Sequence, residues 1–366
     1  MLSIRLEEIA APAGTRDADQ LVTWLLDTLG LVRRRSDDWT GEGVHSPLHR
    51  LMREYLLAEP SQGWDSSALA DELGMSATAL HHQVSKLHDC GLVAGVNRDG
   101  WRIHHLRNGS LSNAVALMET ETRMVLSQRL GELDDWMEES DARMAIPSEK
   151  SEEVSFRIVV CGRAPLTDGQ DEMDDWMNDL GLYGDRVRRP KDGGKPLARL
   201  MFEHMLTSNS PLSLDEALDK WGSTRPRLTR ALDRFRAAGL AERVPRLDRL
   251  PVTLWSAIQS QHGRRGSEWL VKKGGLGRMD AKVQKAVLSA IDKGNFTVEA
   301  CEKVFAKVPA ADQMVLLNLL GGRLPIGWRL AGAKSTQVRE RVLARVDRIF
   351  RRIKRVAEMI EKTYAD

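Results

Sequence analysis

The chain has 366 residues, of which 42 % are hydrophobic and 29 % are charged, and its formal net charge is +2. This length exceeds one ordinary domain and this composition excludes a mainly disordered chain, so we expect two or three packed domains. No apolar run is long enough to cross a bilayer, and acidic residues stand near the start where a signal peptide would be apolar. We therefore expect a cytoplasmic protein that does not bind membranes. Cys90, Cys161 and Cys301 lie far apart, which predicts reduced thiols and no zinc knuckle.

An internal repeat organises the chain. The opening Ser3-Ile-Arg-Leu recurs as Ser155-Phe-Arg-Ile, and the segment PLHRLMREYLL from Pro47 recurs as PLARLMFEHML from Pro196. The matches keep their order, with small changes of offset that short loop deletions explain. The pattern within each copy predicts a strand, four helices and a hairpin, because a segment of alternating apolar residues is followed by segments with apolar residues at helical spacing.

The repeat sets the predicted domains. We expect a mainly α fold with small β-wings, of the α+β class. It divides into a first repeat with a long following helix (1–150), a second repeat (151–273) and a helical C-terminal region (274–366) that ends in a basic amphipathic helix.

The segment from Asp65 to Val96 has the pattern of a helix-turn-helix. Asp65 is a candidate N-cap, Gly74 ends the first helix and Ser76 caps the second. Apolar residues recur on one face of the second helix, and its other face carries Thr78, His81, His82, Ser85 and Lys86. The run VAGVNRDGWRIHHL follows, with turn residues at Asn97 to Gly100, and it predicts a hairpin that carries Arg98 and Arg102.

These residues resemble winged-helix regulators of the ArsR and MarR type. The motif KLHDCGLV from Lys86 matches the end of their second helix and the start of their wing. The resemblance covers Asp65 to Leu106 well and Leu214 to Leu254 less well. It implies a winged-helix fold in two tandem copies that binds double-stranded DNA. In the first copy the candidate contacts are Ser76, Thr78, His81, His82, Ser85, Lys86, Arg98 and Arg102.

The second copy is the more basic one. Its equivalent helix presents Arg225, Arg227, Arg230 and Arg234, and Arg246 follows in the expected wing. Arginine forks suit phosphates and guanine edges, so this copy is expected to supply much of the electrostatic affinity. Prolines at 245 and 251 are expected to shorten the second hairpin.

Two simpler interpretations stay open for these side chains. An arginine-rich helix face is often only a solvated surface. The histidines near Cys90 also allow a metal-sensor site of the kind found in ArsR relatives, although metal-ligand spacing is not evident. Those histidines are His81, His82, His88, His104 and His105.

Two long helical patterns have opposite charges. Leu111 to Met137 becomes acidic toward its end, and the stretch Glu119 to Glu153 has eleven acidic residues against four basic ones. Thr336 to Tyr364 is basic on one face. We expect the first helix to dimerise, to pair the two copies within one chain or simply to pack. The basic face is expected either to bind the DNA backbone or to pair with the acidic stretch of this or another chain.

Motifs for catalysis are not found: the sequence has no Walker A loop, no GxSxG elbow, no HExxH and no dinucleotide-binding loop after a strand. We therefore expect a protein that acts by binding alone, without cofactor, metal or enzymatic activity. The leading hypothesis is a DNA-binding transcriptional regulator. The alternative is an architectural or scaffold protein that uses tandem winged helices to dock other proteins.

Overall fold

The protein was analysed as a computed structural model. The structure describes residues 1–12, 14–32, 46–98, 101–144, 154–165, 169, 171–184 and 193–365, without the side chain of Trp101. These residues are mostly helical and include three small antiparallel sheets. The predicted α+β class, mainly helical with small sheets, is confirmed.

The first unit runs from a strand through four helices to a hairpin and a long helix. Its elements are β1 (Ser3–Glu7), α1 (Ala18–Thr28), α2 (Pro47–Arg50), β2 (Trp64–Asp65), α3 (Ser66–Leu73), α4 (Ala77–Asp89), β3 (Val93–Arg98), β4 (Trp101–Leu106), α5 (Leu111–Gly131) and α6 (Leu133–Trp136). A π-helical turn, Leu51–Leu56, continues α2. In the sheet, β4 lies between β2 and β3.

The second unit repeats this order, but its hairpin strands are far apart in sequence. Its elements before the break are β5 (Arg157–Cys161), α7 (Glu172–Asp179), α8 (Leu197–Thr207), β6 (Leu212–Ser213), α9 (Leu214–Trp221), α10 (Arg225–Ala237) and β7 (Ala241–Pro245). After the break come β8 (Ile326–Leu330) and α15 (Ser335–Ala365). Strand β8 lies between β6 and β7, as β4 lies between β2 and β3.

The residues between β7 and β8 form a helical body, here called the insert (residues 246–325). Its helices are α11 (Leu250–Lys272), α12 (Ala281–Asp292), α13 (Val298–Phe305) and α14 (Ala310–Leu319). The insert has a hydrophobic core of its own, separate from the core of the two units, in which Leu254, Phe305 and Leu316 are buried. An independent core lets a segment this long leave a hairpin and return without disturbing the sheet.

This arrangement differs from the predicted boundaries 151–273 and 274–366. Strand β8 and helix α15 belong to the second unit, because β8 pairs with both β6 and β7. The predicted second hairpin strand after Pro245 is wrong: Leu247–Arg249 is a 3₁₀ turn and α11 follows it directly. A hairpin is normally recognised from two neighbouring strands, and here 80 residues (246–325) separate them.

The two units pack together through equivalent elements. Strand β1 pairs antiparallel with β5. Helices α5 and α15 also run antiparallel, because Ser112 near the start of α5 bonds to Glu361 near the end of α15, while Arg123 pairs with Asp347 at 2.6 Å. Equivalent elements that meet antiparallel are related by an approximate twofold axis. The long helices thus pair within the chain, one of the expected alternatives.

One hydrophobic core runs through both units. The two repeated tryptophans, Trp24 and Trp176, are fully buried in it. Helix α15 contributes a buried stripe, predicted from its spacing, that includes Val338, Val342 and Val346. The stripe packs chiefly on α5, so the C-terminal helix holds the two units together.

Candidate nucleic-acid interface

The polar face of α4 is positioned by the caps that the sequence predicts. The Asp65 carboxylate accepts hydrogen bonds from the backbone N–H of Ser67 (2.8 Å) and Ala68 (3.2 Å), and the Ser76 hydroxyl accepts one from Ala79 (3.2 Å). Gly74 ends α3 with φ of +64°, a left-handed conformation that favours glycine. With the start of α4 fixed in this way, its apolar residues Leu80, Val84 and Leu87 face the core.

The candidate contacts on α4 therefore lie on its outer side. Thr78, His81 and His82 are exposed, while Ser85 and Lys86 are half-buried. The Lys86 ammonium donates a hydrogen bond to the Gln83 side chain at 3.3 Å. Ser76 is exposed too, although its hydroxyl already acts as the helix cap. Thr78, His81 and His82 therefore form the accessible polar surface of α4.

The first hairpin brings Arg98 and Arg102 to the surface. Arg98 is the register partner of Trp101, and Asn97 is the partner of Arg102, so both arginines lie at the far end of the hairpin. Residues 99 and 100 of the predicted turn lie outside the described residues. The two arginines extend the polar surface of α4 beyond the helix.

Two histidines tie α4 to the hairpin. His88 Nε2 lies 3.0 Å from His104 Nδ1, and His104 Nε2 lies 2.9 Å from the Ser66 hydroxyl. Burial lowers the pKa of His104 to about 4, with a further contribution from His88, and burial also lowers the pKa of His88. Both rings are therefore neutral at neutral pH and join α3, α4 and β4 by a chain of hydrogen bonds.

The metal-sensor alternative has little geometric support. His81 and His82 face solvent, whereas His104 is bonded within the fold. The buried Cys90 thiol donates a hydrogen bond to the Leu87 carbonyl at 3.3 Å, and burial raises its pKa to about 12. Within the part of the chain that the structure describes, no three His, Cys, Asp or Glu side chains come together as a metal site.

In the second unit, α10 begins differently from α4. A capping box between Ser213 and Glu216 starts α9, and Gly222 ends it with φ of +56°. Thr224 precedes α10 but makes no capping hydrogen bond with its side chain. Pro226 has no N–H and the Arg227 N–H donates to the Thr224 carbonyl at 3.0 Å, so the start of α10 offers the positive end of the helix dipole and few free N–H groups.

Three of the four candidate arginines on α10 reach the surface. Arg225, Arg227 and Arg230 are exposed, and Arg225 pairs with Asp215 of α9. Arg227 and Arg230 are three residues apart and so share one helix face. Arg234 is half-buried, and its Nε donates to the Leu182 carbonyl at 2.9 Å. That contact makes Arg234 a link to the loop after α7.

Arg246 does not belong to an exposed wing. Its side chain is 3 % exposed and forms ion pairs with Glu216 and, at 2.6 Å, with Asp248. The hydrogen bond to Asp248 is the main cause that raises its pKa above the ordinary value. The predicted DNA contact at Arg246 is thus corrected to a buried ion pair, which arises because the chain enters the insert here instead of turning back.

Most of the basic face of α15 is occupied within the chain. Arg345, Arg348 and Arg352 surround the Glu8 carboxylate at 3.5 to 3.6 Å, and Lys354 pairs with Glu119 of α5. Pairing of this face with the acidic stretch is thereby confirmed for Glu119. Asp134 and Glu139 of the same stretch pair with Arg339 and Lys334, near the start of α15. The part of that stretch from 145 to 153 lies outside the described residues. Arg341 and Arg348 are exposed although they form ion pairs, and Arg351 and Arg355 are exposed as well.

A cleft of about 770 Å³ lies between the β1–β5 sheet and α10. Residues of both units line it, among them Arg5 from β1 and Arg230 from α10. Sequence reasoning missed this cleft, because it exists only where the two repeats meet. The repeat in the sequence was the signal that could have indicated this cleft, because it predicts that two equivalent units pair.

Among the described helices, none combines the length and apolarity needed to pass through a bilayer. No protein-family model, curated protein or solved structure matches the sequence or its fold.

Proposed function

We propose that this protein is a transcriptional regulator that binds double-stranded DNA through two tandem winged-helix modules. In this proposal α4 and α10 are the recognition helices, and the hairpins β3–β4 and β7–β8 correspond to the wings. The protein acts by binding alone. It needs no second chain to form a symmetric reader, because the two modules are already paired within one chain.

The observation that carries the proposal is the exposed arginine surface of α10. Arg225, Arg227 and Arg230 stand exposed on the first turns of the helix. Arg225 pairs with Asp215, while Arg227 and Arg230 lie on the side away from the buried Leu228 and Leu232. Phosphates are attracted both by arginine and by a helix N-terminus, so this end of α10 suits a DNA backbone. Arg230 aligns in the repeat with His82 of α4, which is also exposed.

The two helices suggest a division of roles. The α4 surface of Thr78, His81 and His82 is polar and less charged, which suits reading of base edges. The α10 surface is cationic and suits phosphate contacts. An approximate twofold relation between the units favours binding at two neighbouring half-sites of one duplex.

The test is a salt-titrated binding assay on mixed genomic duplex fragments. The double variant Arg227→Ala/Arg230→Ala is compared with Arg351→Ala/Arg355→Ala, which removes two exposed arginines from α15. We expect the α10 variant to weaken binding and to reduce the salt dependence by up to two phosphate contacts, a change of about 1 to 2 in the slope of log K against log salt. The α15 variant is expected to bind like wild type.

Each other result has a definite meaning. An equal loss of affinity in both variants would mean that DNA responds to the general positive charge of the protein, including that of α15, and not to a specific contact with α10. Fragment preference that is lost in His81→Ala/His82→Ala, with an unchanged salt slope, assigns base reading to α4. Failure of the wild type to bind duplex at low salt overturns the proposal.

A second candidate function, docking of a protein partner, rests on a cleft in the insert. This cleft of about 360 Å³ is lined by apolar residues of α14, of which Val315 is 48 % and Leu319 is 37 % exposed. Four charged residues also line the cleft: Arg278, Asp280, Lys307 and Asp312. Exposed apolar residues that are surrounded by polar ones often mark protein contacts. A scaffold protein is therefore the candidate to pursue if duplex binding fails.

A further inference from the structure

The insert leaves the second unit at the tip of its hairpin. Pro245 and Ile326 are the last register partners of β7 and β8, as Arg98 and Trp101 are the last partners of β3 and β4. The residues that form a short connection in the first hairpin are thus replaced by 80 residues (246–325) in the second. A partner that binds at the tip of this hairpin therefore also lies close to the insert.

The insert is basic. Residues 246–325 contain thirteen Lys and Arg against seven Asp and Glu, an excess of six positive charges in a chain whose total is +2. Four of the insert's exposed cations lie in the second half of α11 and at the residue directly after it. We call these four the basic patch: Arg264, Arg265, Lys272 and Lys273.

The patch is built around a kink and an aromatic ring. Gly266 interrupts α11 with φ of 77° and ψ of 174°, so the chain changes direction between the two pairs of cations. The Arg265 guanidinium lies 4.6 Å from the centre of the Trp269 ring, and Lys272 pairs with Glu268 at 2.5 Å. Glu268 is the one acidic residue between 262 and 273, so the patch keeps a clear positive excess.

The patch is held at a fixed distance from the hairpin. Leu250, at the start of α11, and Leu270, near its end, are both buried in the core of the insert. The helix from Leu250 to Gly266 extends about 24 Å at 1.5 Å per residue. A span of this length corresponds to about 7 base pairs of a duplex at 3.4 Å each.

We propose that the basic patch contacts the DNA backbone beside the segment bound by α10, and so lengthens the footprint on the side of the second unit alone. The inference depends on the proposed function, since it places the hairpin tip next to a duplex. Four exposed cations with an adjacent aromatic ring match the phosphate backbone, which is recognised by charge and not by base sequence. The first unit has no such insert, so the bound complex is asymmetric about the axis that relates the two units.

The experiment compares two variants of equal charge change in the full chain. One is Arg264→Ala/Arg265→Ala/Lys272→Ala/Lys273→Ala, and the matched control removes four exposed lysines of α12, α13 and the residues after it. The control is Lys282→Ala/Lys285→Ala/Lys303→Ala/Lys307→Ala. Binding is titrated with salt on random-sequence duplexes of about 20 base pairs, enough for two half-sites, and about 40 base pairs. Thermal unfolding verifies that both variants are folded.

On the longer duplex, we expect the patch variant to lose up to four phosphate contacts, so that its salt slope falls by about 3 to 4. The control is expected to keep the wild-type slope. On the shorter duplex the patch variant is expected to lose less affinity. On a genomic fragment that wild type binds at one defined position, the hydroxyl-radical footprint is expected to shorten by about 7 base pairs at one end only.

The outcomes separate this inference from the proposed function. If the patch variant and the control lose equal affinity, the insert adds only a diffuse field and the inference is wrong. If the patch variant binds like wild type while Arg227→Ala/Arg230→Ala binds weakly, the proposed function stands and the patch has no part in it. If wild type binds neither duplex, both fail.

Discussion

Leu6 and Ile158 are register partners in the β1–β5 sheet. They also hold the same position in the repeated tetrapeptides Ser3-Ile-Arg-Leu and Ser155-Phe-Arg-Ile. A residue that pairs with its own equivalent lies on the symmetry axis, so the axis between the two units passes between Leu6 and Ile158. Both side chains are buried, which places the axis inside the shared core.

A glycine beside this axis allows the sheet to pack closely. Gly181 has φ of +70°, and a Cβ atom there would lie 2.7 Å from the Val159 side chain. We expect Gly181→Ala to lower the free energy of unfolding by about 2 kcal/mol or more, because a left-handed alanine and a steric clash add together. Urea denaturation measures the change.

Gly222→Ala is the matched control for that substitution. Gly222 also has a positive φ, +56°, but a Cβ atom there would meet nothing within 4 Å. Gly222→Ala is expected to lower the free energy of unfolding by about 1 kcal/mol, which is the conformational penalty alone. Equal losses at the two positions would show that close packing at Gly181 contributes nothing.

The Glu8 carboxylate joins β1 to α15. It is 13 % exposed and lies within 3.6 Å of the guanidinium groups of Arg345, Arg348 and Arg352. Glu8→Gln leaves three neighbouring cations without this counter-charge, so we expect a loss of about 1 to 2 kcal/mol that shrinks at high salt. Denaturation at low and high salt measures it, and Glu358→Gln at an exposed position of α15 is the control. A loss independent of salt would contradict the electrostatic cause.

The histidine chain predicts a stability that depends on pH. A neutral buried His104, with a pKa lowered to about 4, takes up a proton on unfolding below about pH 6.5. Its stabilising effect is therefore complete above pH 6.5 and is lost as the pH falls toward 4, by about 2 kcal/mol. Arg102, Asp65, His81 and His88 are the charged or titratable groups that influence it.

Thermal unfolding between pH 7 and pH 4 tests this prediction. His104→Gln removes the titrating ring and is expected to flatten the pH dependence, while its partner groups His88 and Ser66 remain in place. His82→Gln, at an exposed position of α4, is expected to leave the pH dependence as in wild type. A variant at His104 with the full wild-type pH dependence would place the cause elsewhere.

The burial of Arg246 leads to a prediction about stability. Arg246→Ala leaves Glu216 and Asp248 without their buried partner, so we expect a loss of about 3 kcal/mol. Arg249→Ala removes a half-exposed arginine that also pairs with Glu216, and its expected cost is below about 1 kcal/mol. Urea denaturation compares the two. Similar small losses would mean that Arg246 behaves as a surface residue.

Much of the first unit could be predicted from sequence because its signals are local. Asp65, Gly74 and Ser76 each act on backbone within three or four residues, and the structure has all three in the predicted roles. Strand β8 could not be predicted as part of the second unit, because each of its residues pairs with a residue more than 80 positions earlier in the chain. The same separation in sequence explains the wrong prediction for Arg246. That residue was assigned to a wing, but the second strand of the hairpin begins only at Ile326.

Surface exposure along α4 and α10 was predictable in part from helical spacing, although Arg234 is half-buried against expectation. The use of charges on α15 was not predictable in this way. Val338 and Val342 lie on the buried stripe that their spacing indicates. Arg345 and Arg348 were expected to face either DNA or an acidic helix, and instead they contact Glu8 at the end of the first strand. Their partner is set by the pairing of β1 with β5, a contact between residues about 150 apart.

The repeat also provides a test by gain of binding. His82 of α4 aligns with Arg230 of α10, and both side chains are exposed. If the two helices face one duplex, His82→Arg adds a cation at a position equivalent to one that contacts phosphate. We expect tighter binding and a salt slope that steepens by about 1. Gln128→Arg, at an exposed position of α5 outside both helices and outside the insert, is the matched control and is expected to change the slope less. A steeper slope requires that α4 lie against the DNA backbone, so an unchanged slope for His82→Arg, together with a normal loss for Arg230→Ala, would assign DNA contact to the second unit alone.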